Sequence, residues 1–140
     1  MELLVEGMIN NRLQTAKKQI AGSAAYSVEK AINTSGLDQC IKVFNEINKQ
    51  KPEGIYFDEM EFNALGYRFL SRGLMEAALE VFKMNSELYP TSANAYDSLA
   101  EVYLMLGNKE MASKYYKKSL ELNPNNENAA KKLREIDSAE

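Results

Sequence analysis

Ten positions of this chain recur after 34 residues. Phe62, Leu65, Gly66, Phe69, Gly73, Ala78, Phe82, Glu87, Leu88 and Pro90 return as Tyr96, Leu99, Ala100, Tyr103, Gly107, Ala112, Tyr116, Glu121, Leu122 and Pro124. A period of this length fits one helix–turn–helix unit. Such a unit leaves an apolar face wet on its own, so units of this kind stack. The spacing predicts a first helix over 59–71 and a second over 75–88. Gly73 falls at the reversal, where glycine takes positive φ without a steric cost. Pro90 stops the second helix, and Ser92 is placed to cap the next one. Residues 93–126 repeat the plan, with Gly107 at the turn and Pro124 at the stop.

Packing explains the recurring residue types. Gly66, Ala78, Ala100 and Ala112 are small where helices must approach closely, and Phe62, Phe82, Tyr96 and Tyr116 fill the space beside them. About three stacked units are needed for stability, so the flanks must supply what two clear units do not. Upstream, Cys40, Phe44 and Pro52 match Ala78, Phe82 and Pro90 at a spacing of 38, with Ser35-Gly36 at a turn. Residues 24–54 therefore read as a degenerate repeat. Its first helix is expected over 24–33, and Ile55–Asp58 is expected to add one helical turn. Downstream, Ala130 and Leu133 continue the period while Arg134 and Asp137 make the other side polar, which gives a capping helix over 127–138. Val5, Ile9, Leu13, Ala16 and Ile20 lie at helical spacing, so residues 1–22 are expected to form an amphipathic N-terminal helix. The whole reads as a single all-α domain of about eight helices.

Length and composition fit one globular domain: 140 residues, 45% hydrophobic and 26% charged. The net charge of −3 argues against nucleic acid as a partner, because phosphate binding needs an excess of Lys and Arg. Residues 51–108 hold 4 basic and 9 acidic groups, a local balance of −5. That balance favours a neutral or basic partner. No run approaches the ~18 apolar residues of a membrane span, and the first residues lack the basic start of a signal peptide. The expected location is cytoplasmic, or exported if the chain is part of a larger secreted enzyme.

Chemistry has little to work with. Histidine is absent and Cys40 is the one cysteine, so neither an internal disulfide nor the usual zinc ligand set can be assembled. Cys40 takes the place of Ala78 and Ala112 and is expected to be a small core residue. Ser27-Val28-Glu29-Lys30 matches the S-x-x-K nucleophile motif, but its S-D-N and K-T-G companions are missing. Asp97 and Glu101 lie four apart on one helix face and frame no cleft for acid–base work. Lys114, Lys117 and Lys118 read as a solvated face. No catalytic, cofactor-binding or metal-ligating residue is assigned, and the chain is not expected to be an enzyme.

These residues resemble the tetratricopeptide repeat family, strongly over 59–126 and weakly over 36–54. The resemblance implies a short right-handed superhelical solenoid that serves as a protein-interaction scaffold. Asn85 departs from it, since the family usually has a small apolar residue there, and Phe62 and Tyr96 stand where it prefers tryptophan. As Asn85 falls between packed repeats, it is expected to be buried and hydrogen-bonded to Asp97 or Ser98. Some family members clamp the C-terminal carboxylate of a heat-shock chaperone with Lys, Asn and Arg. The equivalent positions here include Tyr67, Asn94 and Ser98, so that clamp is not built. A narrower resemblance, over about 36–135, is to the helical C-terminal extension of certain bacterial serine hydrolases of the β-lactamase, penicillin-binding and esterase class. It is carried by Phe62–Tyr67, Phe82–Asn85 and Tyr89–Leu99. It implies that the chain is an accessory, non-catalytic part of such an enzyme.

In stacked hairpins the first helix of each pair lines the concave side. Asn63, Tyr67, Asn94, Asp97, Ser98 and Glu101 would then face a peptide or protein partner, as polar grips with a few apolar contacts. A second copy of the chain, or an adjoining hydrolase domain, is the further partner the sequence leaves open.

Overall fold

The computed structural model describes residues 4–10 and 22–139, which divide into two compact units, Met1–Asp58 and Glu59–Glu140. Helix is the only regular structure among the described residues. An isolated parallel bridge between Ser23 and Tyr56 is the exception.

In the first unit, α1 (Ala24–Ser35) and α2 (Leu37–Gln50) pack as a hairpin. Ser23 caps α1 by accepting from Tyr26 N at 3.2 Å. Val28, Cys40 and Phe44 are buried between the helices, and Cys40 is enclosed as its place in the period requires. Lys51 ends α2 in the left-handed region (φ 46°), and its ammonium stacks 4.3 Å above the Phe57 ring. The helical turn expected at Ile55–Asp58 does not form. After Pro52 and Gly54 the chain runs extended instead. Tyr56 N donates to Gly22 O at 2.8 Å, and Ala24 N donates to Tyr56 O at 2.9 Å. The backbone groups that a helix would have paired internally are paired across the start of α1.

Residues 4–10 are helical, with Leu4 73% and Met8 69% exposed. Val5 and Ile9, expected on a buried stripe, are also exposed. Leu13, Ala16 and Ile20 lie outside the described residues.

The second unit contains α3 (Glu59–Ser71), α4 (Met75–Leu88), α5 (Ala93–Met105), α6 (Lys109–Leu122) and α7 (Glu127–Ser138). Helices α3 and α4 form one hairpin and α5 and α6 the next; α4 packs on α5, and α6 on α7. This is a helical-repeat solenoid. Its two turns are built alike. Gly73 (φ 74°) and Gly107 (φ 79°) sit in the left-handed region. Leu74 N reaches back to Phe69 O and Asn108 N to Tyr103 O, both at 2.9 Å. That is the Schellman pattern, which satisfies carbonyls the helix end would otherwise orphan.

Close approach fixes the spacing inside the first hairpin. A Cβ added at Gly66 would meet the Phe82 ring at 2.5 Å, so the ring lies flush on the α3 backbone. Phe62, Leu65, Phe69, Ala78, Val81 and Phe82 complete a core closed to solvent, and Leu99, Ala100, Ala112 and Tyr116 do the same in the second hairpin. Helix α7 buries Ala129 and Ile136 against α6 and leaves its other side wet.

Candidate interaction face

Helices α3 and α5 carry the six residues expected on the concave side, and two adjacent hydrogen bonds between the helices engage four of them. Ser98 Oγ donates to Asn63 Oδ1 at 2.8 Å. Tyr67 OH donates to Glu101 Oε2 at 2.6 Å and lies 3.3 Å from Ser98 Oγ. Each hydroxyl has one proton, and the two short bonds use both. Tyr67 rests edge-on against the Phe82 ring, with centroids 5.1 Å apart. Phe82 thus seats Tyr67 from below while Glu101 and Ser98 hold its tip. Burial, followed by donation to Glu101, pushes the Tyr67 phenol up to about 12.

Asp97 is bound into a second set of partners that the expected list omits. Asn128 donates to both of its oxygens at 3.2 and 3.1 Å, and Asn126 to Oδ1 at 3.3 Å. Asn126 also donates to Ser119 Oγ at 2.8 Å, while its own carbonyl caps α7 by accepting from Ala129 N. Ser119 Oγ donates to Ala93 O at 2.8 Å. The Asp97 carboxyl is raised above its usual range, chiefly because burial disfavours its charge; the two asparagines oppose the shift and Glu101 adds to it. Asn94 is exposed on the first turn of α5, on the same helix face as Asp97, Ser98 and Glu101. Asn128 stands 34 residues after Asn94 and Asn126 the same distance after Ser92, so the period itself marked them.

At the start of the face, Ser92 caps α5 by accepting from Ala95 N at 3.1 Å and donates its own proton to the Glu59 carboxylate of α3. The expectation for Asn85 holds in one half only. Its side chain is fully enclosed, yet neither amide atom has a hydrogen-bond partner. Ser98 is turned toward Asn63 and Tyr67, and Asp97 toward α7, so neither is left to receive it.

Elsewhere the residues singled out by type have structural roles. Ser27 Oγ donates to Ser23 O at 3.1 Å within α1. Lys118 pairs weakly with Glu121 at 3.5 Å, and Lys114 sits 5.4 Å from the Tyr115 ring. Both lysines edge an open cleft of about 350 Å³ beside Tyr96 and Tyr115. Among the described residues no group of three or more Cys, Asp and Glu side chains could hold a metal ion. Likewise, no helix there is long and apolar enough to cross a membrane.

The second hairpin with its following turn, residues 93–126, matches the tetratricopeptide repeat family model. Residues 59–92 share the turn geometry and helix lengths of residues 93–126. No curated protein sequence matches the chain. Among solved structures, a MamA crystal structure superposes with a TM-score of 0.57 at 22% identity, covering 89% of this chain and 64% of that one. The first TPR of Spaghetti (RPAP3), solved with the HSP90 peptide SRMEEVD, gives 0.57 at 19%, covering 88% and 93%. The Sgt2 TPR domain from Aspergillus fumigatus gives 0.55 at 14%, covering 83% and 76%. At these identities the likeness shows the tetratricopeptide fold. The chain spans less than two thirds of two of the MamA chains it matches, 63% and 64%. None of these findings supports the narrower resemblance to a serine-hydrolase extension.

Proposed function

We propose that this protein is a protein-interaction scaffold that binds a peptide or partner protein along the α3–α5 face, through Asn63, Tyr67, Asn94, Asp97, Ser98 and Glu101. The observation that carries this reading is the pair of hydrogen bonds Ser98–Asn63 and Tyr67–Glu101, whose hydroxyl oxygens lie 3.3 Å apart and which present side chains of two successive hairpins as one pre-ordered surface. Pre-ordering matters because each rotamer-rich side chain frozen on binding costs ~0.5–1.5 kcal/mol. Tyr67 is 38% exposed, so its ring edge is available for packing while its hydroxyl is held. The fold is shared with the Spaghetti (RPAP3) structure that holds the HSP90 peptide SRMEEVD. That peptide is acidic, whereas the face here carries Asp97 and Glu101, so its partner differs in charge.

The test is capture of a partner by the intact chain and by two charge-reversal variants. Asp97→Lys with Glu101→Lys should abolish capture. Lys114→Glu with Lys117→Glu, away from the face, should leave it unchanged. Equal recovery with Asp97→Lys, Glu101→Lys and with the parent would remove the face from consideration.

A further inference from the structure

Tyr116 lies in α6 at the place that Phe82 holds in α4. Phe82 sits beneath Tyr67 and against Gly66; one repeat on, the equivalent neighbours of Tyr116 are Glu101 and Ala100. The difference is a hydroxyl. Tyr116 is fully buried, and its oxygen has no hydrogen-bond partner. Asp97, Glu101, Tyr67 and Glu135 stand close enough for their charges to act on it, and together with burial they raise its pKa. Among the described residues, neither Asp97 nor Glu101 has a lysine or arginine partner. The nearby cations Lys131 and Lys132 pair with Glu135, at 3.9 and 3.3 Å. Two carboxylates one helical turn apart therefore share a half-buried site that no cation among the described residues neutralises: Asp97 accepts only from Asn126 and Asn128 and Glu101 only from Tyr67, while the Tyr116 hydroxyl oxygen, which their charges reach, keeps its lone pairs.

We infer that this is a subsite for an arginine side chain of the bound partner, held by Asp97 and Glu101 with Tyr116 as the acceptor at its floor. The inference rests on the α3–α5 face being the binding surface. Three acceptors spread over two helices suit a planar guanidinium with five donors in a fixed fork. They suit a lysine ammonium less, since it is more strongly hydrated and acts as a compact point charge. The hydroxyl is sealed in the free protein, so its lone pairs come into play only as the carboxylates turn toward the cation. Glu101 is already half-engaged: Tyr67 holds Oε2, leaving Oε1 to a guest.

Nuclear magnetic resonance on the isotope-labelled full chain tests this with three acetylated, amidated glycine pentapeptides bearing a central arginine, lysine or citrulline. The arginine peptide should give saturable shifts at Asp97 and Glu101, about tenfold tighter than the lysine peptide, with none from citrulline. Tyr116→Phe should melt no lower than the parent, since it deletes an unpaired buried hydroxyl, and should bring arginine down to the lysine level. Glu101→Gln, which keeps the shape, should weaken arginine further. Equal affinity for arginine and lysine with no effect of Tyr116→Phe overturns the inference, as does the absence of any saturable shift at Asp97 and Glu101. If arginine and citrulline peptides bind alike across Asn63, Tyr67 and Asn94, the face stands and the arginine subsite falls. If the arginine shifts persist while partner capture ignores Asp97→Lys, Glu101→Lys, the wider face falls and the subsite stands.

Discussion

Asn85 and Ser119 occupy the same position of successive hairpins, and only Ser119 has its polar atom paired. Ser119 is short enough to reach the Ala93 carbonyl and to receive Asn126. The longer Asn85 amide is enclosed with nothing to bond. A buried amide without partners costs ~1–3 kcal/mol, whereas an apolar side chain of the same shape costs nothing of the kind. Asn85→Leu, close to isosteric, should therefore stabilise the protein by about 1–3 kcal/mol. Urea denaturation at constant m-value checks this, and a lowered midpoint would show that the amide has a partner in solution.

Gly66→Ala should destabilise. Alanine is the better helix former by ~1 kcal/mol, but its methyl would stand 2.5 Å from a fully buried Phe82 ring. Overpacking of a closed core costs ~1–3 kcal/mol, so the net loss should reach up to about 2 kcal/mol. Pairing the change with Phe82→Leu, which clears the contact, should recover part of it in the same denaturation assay.

Asn126 is bonded to three elements at once. It caps α7, receives nothing from α5 but donates to its Asp97, and donates to Ser119 of α6. Loss of an N-cap alone costs ~0.5–2 kcal/mol. Asn126→Ala should exceed the mid-point of that range, and a double-mutant cycle with Ser119→Ala should show coupling of ~0.5–3 kcal/mol, as expected for residues in one network. Additive single effects would contradict it.

Alkaline stability should fall in a defined window. The Tyr67 phenol, ordinarily near 10, is pushed up to about 12 in the folded chain, first by burial and then by its bond to Glu101. Between those values the unfolded chain has shed this proton and the folded chain has kept it. Stability therefore drops as pH rises through the window, and below it the contribution is fully present. Thermal melts of the parent and Tyr67→Phe across the window should converge as the pH rises. Parallel curves would place the phenol at its ordinary pKa.

Much of the second unit could be read from its period, because the repeat writes the same physical demands twice. Gly73 and Gly107 marked the turns, Pro90 and Pro124 the stops, and the helices fall where the spacing put them. What escaped was polar pairing. Hydrogen bonds between helices depend on side-chain length and rotamer, so Ser98 could be placed on the face without revealing that it serves Asn63 rather than Asn85. Asn126 and Asn128 stand one repeat after Ser92 and Asn94, yet their grip on Asp97 needed the position of α7. Ala95 and Val102, buried at a seven-residue spacing in α5, sit among more prominent aromatics, and in α7 the buried residues are Ala129 and Ile136 where the period pointed to Ala130 and Leu133. In the first unit, Ile55–Asp58 had no repeated partner to compare with, and the backbone bonds of Tyr56 join residues too far apart for local pattern to reveal.

The bonds between α3 and α5 with its cap join residues 35, 34 and 33 apart, values that cluster on the length of the repeat. They act as a vernier between two parallel rods. Sliding α5 along α3 by one turn, about 5.4 Å, would break all three together and leave Glu59, Asn63, Tyr67 and Ser98 facing the wrong neighbours. Apolar packing between the hairpins tolerates small displacements; this row of polar contacts does not. The alignment of one hairpin on the next is thus written in side-chain chemistry on the face itself, and a guest that loosened those bonds would also loosen the registration of the two hairpins.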